Sequence, residues 1–102
     1  MKTYNKLVRD KIPTIIKNDG CECKFHVANQ KEFEEKLYEK LQEELVEFVG
    51  KPSAEEIADM LEVIETIAKL HNISLEQIKV EKIKKRKDRG GFNERIILES
   101  TD

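Results

Sequence analysis

Residues 42–59 decide how this chain folds, and they read Gln42-Glu43-Glu44-Leu45-Val46-Glu47-Phe48-Val49-Gly50-Lys51-Pro52-Ser53-Ala54-Glu55-Glu56-Ile57-Ala58-Asp59. One helical pattern ends at Gly50 and another opens at Ser53, because glycine and proline stop a helix and serine caps one. Carboxylates accompany both patterns: Glu43, Glu44 and Glu47 before the break, and Glu55, Glu56 and Asp59 after it. A tight turn between the two patterns would bring these carboxylates to one end of a helical hairpin, and this acidic end is the predicted functional site.

The sequence around the turn predicts three substantial helices. They cover residues 29–49, 53–71 and 74–89, and their capping residues are Asn29, Ser53 and Ser74. Each cap is followed three residues later by Glu or Gln, the position that completes a capping box. A shorter helix from about Arg9 ends near Asp19-Gly20, where glycine supplies a C-terminal stop.

Two further segments have the composition of strands. Residues 22–28 alternate apolar and polar side chains, a pattern typical of a strand with one buried face. A lone strand is not stable, and the other strand-like segment is Arg95 to Leu98. The predicted fold is therefore mainly α, with helical hairpins and a small two-stranded sheet that joins about 22–28 to about 93–99.

Composition places the chain among small helical domains. Its 102 residues make one domain with a modest core, and 39% of them are charged against 38% hydrophobic. Such a balance suits amphipathic helices and a chain that completes its core by oligomerising. No apolar run approaches the ~20 residues of a membrane helix, and the N-terminus lacks the apolar core of a signal peptide, so a cytoplasmic location is expected.

Charge and cysteine usage narrow the possible partners. The net charge of −2 offers no general attraction to nucleic acid, although residues 79–89 are strongly basic. That basic run is interpreted either as a solvated helix face or as a ligand-binding surface. Cys21 and Cys23 beside His26 are a weak metal signal, because one intervening residue suits neither a disulfide nor a complete zinc site. The two cysteines are expected to be strand residues in a reducing compartment.

The direction of each carboxylate in the first long helix follows from the helical advance of about 100° per residue. With Phe33 at zero, the apolar side chains fill an arc that reaches about 120° at Leu45. Glu44 falls inside this arc at about 20°. Glu47 lies at the edge of the arc, and Glu43 lies further out.

The second long helix has the same arrangement. With Ile57 at zero, its apolar arc begins at about 220° at Leu70 and passes through zero. Glu56 falls inside the arc at about 260°, and Asp59 lies at the rim at about 200°. Glu55 lies outside the main arc.

Each helix thus presents one carboxylate inside its apolar face and another three residues away, where helix side chains are neighbours. Burial of a carboxylate is costly unless it is compensated, and two facing pairs also repel. Lys51 on the turn is the one basic residue between them. A divalent cation would remove both penalties, and an all-oxygen ligand set suits Mg²⁺, Mn²⁺ or Ca²⁺ rather than zinc.

Other interpretations of these acids stay open. Glu56 could be the capping-box acid of Ser53. Glu44 or Glu47 could pair with a basic residue of helix 74–89. Charge-rich helices also place acids near apolar arcs by chance.

The acidic pattern resembles a known motif pair. Glu43-Glu44-x-x-Glu47 followed by Glu56-x-x-Asp59 resembles the paired motif of the all-α nucleoside triphosphate pyrophosphohydrolases, which include MazG, the dimeric dUTPases and phosphoribosyl-ATP pyrophosphohydrolase. Two flanking stretches resemble small bacterial and phage MazG-like proteins often labelled phosphoribosyl-ATP pyrophosphohydrolase-like: Asn5-Lys6-Leu7-Val8-Arg9-Asp10-Lys11-Ile12-Pro13, and Lys85-Arg86 with Arg89-Gly90-Gly91-Phe92. The resemblance implies a single MazG-like domain over residues 1–102, in a short version that lacks the extra helices by which larger members enclose a base.

The resemblance implies an activity and a set of site residues. The reaction would be hydrolysis between the α- and β-phosphates of a nucleotide, which releases a monophosphate and pyrophosphate. The implied ligands of Mg²⁺, or of Mn²⁺, are Glu44, Glu47, Glu56 and Asp59. Glu43 would orient or deprotonate the attacking water, while the metal would neutralise phosphate charge and lower the pKa of bound water.

Basic residues near both ends of the chain are the candidates for phosphate binding. These are Lys6, Arg9, Lys11, Lys82, Lys85, Arg86 and Arg89. Guanidinium groups suit bidentate contact with phosphate. For the residues of the last helix, the competing interpretation is a solvated basic end that interacts favourably with the helix dipole.

The apolar surface of helix 53–71 predicts self-association. It covers about half the circumference of the helix, more than one hairpin can bury. A homodimer or homotetramer with a four-helix bundle is therefore expected, and the resemblance implies the same. The alternative function is a non-catalytic helical oligomer that binds a nucleotide or a protein and keeps a structural cation site. Nucleic-acid binding through residues 79–89 is disfavoured by the acidic surroundings.

Overall fold

The computed structural model describes residues 2–102 and is built from four helices. Their bounds are α1 Ile12–Asn18, α2 Gln30–Gly50, α3 Ala54–Leu70 and α4 Leu75–Arg89. The three long helices were predicted to within about a residue at each end. α1 begins at Ile12, later than the expected start near Arg9. The reason is that proline is tolerated in the first turn of a helix but not in its interior, so Pro13 fixes the start.

Side-chain caps set where the long helices begin. The side chains of Asn29 and Ser53 accept hydrogen bonds from the backbone N–H groups of Glu32 and Glu56. In α4 the exchange is reciprocal, since Ser74 accepts from Gln77 N–H and the Gln77 side chain accepts from Ser74 N–H. The predicted helix starts are therefore confirmed by local hydrogen bonding.

The helical hairpin α2–α3 is the structural centre of the molecule. Gly50 ends α2, the N–H of Lys51 donates to the carbonyl of Glu47 at 3.0 Å, and α3 begins after a short turn. The buried side chains all lie on these two helices: Leu37, Glu44, Val63 and Ala68. One of the four is a carboxylate, and it lies at the turn end of the hairpin.

The predicted two-stranded sheet is wrong. Residues 2–102 contain no strand, and both 22–28 and 93–99 are irregular. Val27, on the face that was expected to be buried, is 90% exposed, and Ile96 in the other segment is 82% exposed. The alternation in 22–28 supplies one apolar face, but no element within residues 2–102 covers it, and an isolated strand pair is marginal in water.

The chain is extended rather than compact. Its radius of gyration is 18.1 Å, whereas a compact domain of this length measures about 13 Å. Every residue from His71 to Asp102 is exposed, and α4 projects away from the hairpin with few contacts to it. Within residues 2–102 of a single chain, only α2 and α3 pack together, as a hairpin. The four-helix bundle, which would need the hairpins of two chains, stays a prediction. No helix within residues 2–102 combines the length and the apolar character needed to cross a bilayer.

Candidate metal centre

Three carboxylates from two helices converge at the turn end of the hairpin. Glu44 comes from α2, and Glu56 and Asp59 come from the first two turns of α3. One carboxylate oxygen from each lies within 4.8 Å of the other two. We call these three residues the acid cluster.

Glu44 is the most buried member of the acid cluster. It is 5% exposed, because it lies on the same apolar face of α2 as Leu37. Its Oε1 atom is 3.3 Å from the Nζ atom of Lys40, one helical turn earlier. Its Oε2 atom is inaccessible to solvent and has no hydrogen-bond partner among the described residues. A charged oxygen buried without a partner is strongly destabilising, so either a cation or a shared proton must compensate this atom.

Glu56 has the same property on the facing helix. Its Oε2 atom is also inaccessible, and nothing in residues 2–102 forms a hydrogen bond with it. Burial raises the pKa of Glu56 to about 7, together with a side-chain hydrogen bond to Glu44 and the negative charges of Glu47, Glu44 and Asp59. The capping-box interpretation does not account for this carboxylate, because Ser53 caps the backbone N–H of Glu56 and leaves the side chain unused.

Asp59 lies at the rim of the cluster and contacts the N-terminal segment. Its Oδ1 atom accepts a hydrogen bond from Nη2 of Arg9 at 2.7 Å. This contact raises the pKa of the Arg9 guanidinium, chiefly through the hydrogen bond. Asp59 is therefore the one member of the cluster with a close cationic partner from outside the hairpin.

Glu43 lies next to the acid cluster and is held by two lysines. Its Oε1 atom is 2.9 Å from Nζ of Lys6, and its Oε2 atom is 3.5 Å from Nζ of Lys40. The hydrogen bond from Lys6 is the main reason that the pKa of Glu43 lies below its usual range. Glu43 is therefore ionised at neutral pH.

Two of the cations that flank the cluster, Lys6 and Arg9, were predicted as phosphate-binding residues, whereas Lys40 was missed. Lys51 was the one basic residue expected between the acids, but Lys6, Arg9 and Lys40 contact the carboxylates instead. Lys40 had a usable signal, because it precedes Glu44 by four residues and such pairs meet on a helix. No local signal shows that Lys6 and Arg9 neutralise these acids, since they are 37 and 50 residues from their partners.

The remaining predicted site residues lie outside the acid cluster. Glu47 is exposed, yet it is near enough for its charge to contribute to the raised pKa of Glu56. Glu55 is exposed on the outer face of α3, as its helical angle predicted, and Lys11 is exposed next to α1.

The basic residues of α4 are also exposed, and the structure does not bring them to the acids within one chain: Lys82, Lys85, Arg86 and Arg89. The interpretation that Glu44 pairs with this last helix is not met, because its partner is Lys40 of α2.

The cysteine and histidine candidates do not form a metal site. Cys21 and Cys23 are free and exposed, and the expectation that they are strand residues is wrong along with the sheet. His26 instead lies 2.9 Å from Oε1 of Glu32 at the start of α2. In the described part of the chain, the acid cluster is the group of potential ligands that converges.

The donor chemistry of the acid cluster fits a divalent cation. Its atoms are carboxylate oxygens, the ligands that Mg²⁺, Mn²⁺ and Ca²⁺ prefer. The two inaccessible oxygens of Glu44 and Glu56 accept no hydrogen bond from residues 2–102, so both have free lone pairs in a region of like charge. An ion would compensate both atoms at once.

Comparisons of the chain with protein-family models, with curated proteins and with solved structures find no match.

Proposed function

We propose that the protein is a Mg²⁺-dependent nucleotide pyrophosphohydrolase. It would hydrolyse the α–β phosphoanhydride of a nucleoside triphosphate or related nucleotide, and release a monophosphate and pyrophosphate. The observation that carries the proposal is the convergence of Glu44, Glu56 and Asp59 with two buried, unpartnered oxygens. The motif pair to which these residues belong supports it independently.

The acid cluster is the metal-holding part of the proposed site. Glu44 and Glu56 would supply the buried oxygens, and Asp59 the rim oxygen. Glu47, exposed one turn after Glu43, completes the motif and is the fourth ligand in this proposal. When bound, Mg²⁺ supplies positive charge to the phosphates and makes water more acidic. Mn²⁺ has the same ligand preference.

Glu43 is proposed to orient the attacking water. A general base works best with a pKa near the operating pH, whereas the pKa of Glu43 is lowered by Lys6 and Lys40. A permanently ionised carboxylate is a good hydrogen-bond acceptor and a weak proton acceptor. Orientation of water therefore suits Glu43 better than deprotonation.

Phosphate binding would draw first on the cations that already surround the acids. Lys6 and Arg9 lie within hydrogen-bond distance of Glu43 and Asp59. Lys11 follows in the same N-terminal segment. The basic residues of α4 would reach a site only in another copy of the chain or after a movement of that helix: Lys82, Lys85, Arg86 and Arg89.

Self-association is part of the proposal. The hairpin leaves several large apolar side chains exposed: Leu45, Val46, Val49, Ile57, Leu61 and Ile64. Exposed apolar patches of this kind mark interaction surfaces. Pairing of two hairpins into a four-helix bundle, as a homodimer or homotetramer, would cover them and shield the turn end from water.

The test is pyrophosphate release from a panel of canonical and modified nucleoside triphosphates, with Mg²⁺ and with a chelator. Glu56→Gln is expected to lose turnover, because it removes a buried metal ligand. Glu55→Gln is the matched control, since it is the same change on the adjacent, exposed residue. Glu55→Gln should keep the turnover of the unmodified chain.

Two outcomes would contradict the proposal. One is the absence of metal-dependent turnover with every nucleotide, together with unchanged metal binding in Glu44→Gln and Asp59→Asn. The other is thermal stabilisation by nucleotide without any product, which would identify a nucleotide-binding oligomer with a structural cation site.

A further inference from the structure

The N-terminal segment lies against the hairpin, and three polar contacts tie it there, two of them at the acidic end. We call residues 4–9 the N-terminal strap. The backbone carbonyl of Asn5 accepts a hydrogen bond from Nζ of Lys36 at 2.8 Å. Lys6 contacts Glu43 at 2.9 Å, and Arg9 contacts Asp59 at 2.7 Å. The strap has no helix or strand of its own, so these contacts hold it in place.

Asn5 gives the strap its local shape. Its φ of 48° lies in the left-handed region, which asparagine tolerates better than most residues. Leu7 is half-buried, whereas the other residues of the strap are exposed. The anchorage is therefore mainly electrostatic, and it depends on the charge of the carboxylates beneath it.

Arg9 and a metal ion would share one carboxylate. Asp59 is a member of the acid cluster, and its Oδ1 atom already accepts from the Arg9 guanidinium. Two positive groups on one carboxylate repel each other and divide its negative charge. By linkage, whatever free energy the ion loses to Arg9, Arg9 also loses to the ion. Glu43, the partner of Lys6, is not in the cluster, so Lys6 competes less directly.

We propose that Arg9 is a built-in counter-ion that occupies Asp59 in the metal-free protein and is displaced by a divalent cation, after which its guanidinium binds phosphate. This inference rests on the proposed role of the acid cluster as a metal site. Displacement turns a donor away from Asp59 at the mouth of the site, where a phosphate would arrive. Guanidinium is suited to that second task because its fork of N–H groups matches phosphate oxygens.

In this proposal Arg9 weakens the binding of the metal ion and strengthens the binding of phosphate. Without nucleotide it opposes the metal, and with metal bound it assists the phosphate. A residue that only stabilised the fold would weaken both ligands together, and a bystander would change neither. Arg9 is 57% exposed, so its replacement is compatible with an intact fold.

The first experiment measures metal affinity by calorimetric titration of MgCl₂ into the full chain and its variants. Arg9→Gln is expected to bind Mg²⁺ about two- to fivefold more tightly, the range that corresponds to a half-exposed ion pair. Lys6→Gln should show a smaller gain. Arg95→Gln, which removes the same charge from the irregular C-terminal segment, should bind as the unmodified chain does.

The second experiment follows the strap itself. The chain has no tryptophan and two tyrosines, of which Tyr4 lies in the strap with its ring 5.6 Å from Nζ of Lys6. In a Tyr38→Phe background, Tyr4 is the remaining tyrosine, and its fluorescence anisotropy should fall when Mg²⁺ displaces Arg9, because the strap then loses one of its three anchors. Addition of Arg9→Gln to this background should reduce the change.

The third measurement uses inorganic pyrophosphate as the phosphate probe at saturating Mg²⁺. Arg9→Gln should bind it several-fold more weakly than Arg95→Gln does. Equal or weaker Mg²⁺ binding by Arg9→Gln, with normal binding by the unmodified chain, overturns the counter-ion proposal and leaves the metal centre standing. An anisotropy change of the same size in the Arg9→Gln background, or unchanged pyrophosphate binding, overturns it too. Absence of Mg²⁺ binding by the unmodified chain overturns the metal centre as well.

Discussion

At the residue scale, the acid cluster is expensive to fold without a ligand. Glu44 and Glu56 each place one oxygen out of reach of solvent, and residues 2–102 offer it no donor unless Glu56 is itself protonated and bonds to Glu44. Lys40 and Arg9 reach only the other oxygens of Glu44 and the rim residue Asp59. Functional sites commonly lower the free energy of unfolding in this way, because side chains arranged to bind a ligand are not arranged for maximal stability.

Glu56 predicts how the stability of the metal-free protein depends on pH. Its folded pKa of about 7 lies above the ordinary value of 4.5, so the folded state holds a proton that the unfolded state releases. This contribution to stability is fully present below about pH 4.5 and is lost as the pH rises through 7. The thermal midpoint in chelator should therefore fall between pH 5 and pH 8 through this residue.

Glu56→Gln should remove that part of the pH dependence, because glutamine does not titrate. Glu55→Gln should retain it, since Glu55 is exposed. Circular-dichroism melts at several pH values give the comparison. Melts of Glu56→Gln that fall with pH as steeply as those of Glu55→Gln would contradict the assignment.

Replacement of Glu44 should affect the stability of the protein and its binding of Mg²⁺ differently. Replacement of a buried charge by an apolar side chain of similar volume is often neutral or stabilising. Glu44→Met should therefore leave the denaturant midpoint of the metal-free protein unchanged or raise it, and Mg²⁺ binding should be lost. Leu37→Ala is the contrasting variant, expected to cost about 2–5 kcal/mol of unfolding free energy because it opens a cavity in the core. A large loss of stability in Glu44→Met would mean that its carboxylate holds the hairpin together.

At the element scale, the start of α3 positions two of the three members of the acid cluster. Ser53 caps the helix by accepting from Glu56 N–H at 3.2 Å, and Asp59 follows one turn later. The positions of both carboxylates therefore depend on where this cap starts the helix. α4 begins with an equally good cap at Ser74 but carries none of the cluster.

The two caps supply a matched pair of variants. Ser53→Ala and Ser74→Ala should each weaken their own helix by about 1 kcal/mol. Ser53→Ala should also weaken Mg²⁺ binding, because fraying of the first turn of α3 displaces Glu56. Ser74→Ala should not, since α4 makes few contacts with the hairpin. Calorimetric titrations of both variants make the comparison, and equal Mg²⁺ affinities would contradict the role given to the Ser53 cap.

At the scale of the whole molecule, one chain does not cover its own apolar surface. The radius of gyration exceeds that of a compact domain of this length, and Leu61 and Ile64 on α3 are about half exposed. The side chains at the turn end lie beside this surface on the same two helices. Association would therefore change the access of water to the acid cluster as well as the stability of the hairpin.

Leu61→Lys should shift the protein toward monomer, because association in the proposed four-helix bundle would have to desolvate the new charge. Val27→Lys introduces the same charge at a 90% exposed apolar residue of an irregular segment, and should leave the association state unchanged. Analytical ultracentrifugation at micromolar concentration distinguishes the two. A monomeric unmodified chain under these conditions would contradict the oligomer proposal.

Local patterns were enough to predict the helices and the direction of the acids. The capping residues Asn29, Ser53 and Ser74 act on N–H groups three residues away. Helical periodicity, a property of the backbone, placed Glu44 inside the apolar arc, where it is buried. These inferences succeeded because every interaction they use spans a few residues.

The sequence by itself therefore determined where the long helices lie and that Glu44 and Glu56 turn toward one another's helix. Tertiary structure alone decided that Lys6 and Arg9 lie on these acids, that residues 22–28 find no strand partner, and that α4 projects from the hairpin. The physical reason is one of range. Caps and helical angles are set by covalent neighbours, whereas an ion pair across 50 residues, or a sheet that fails for want of a covering surface, depends on how the whole chain packs.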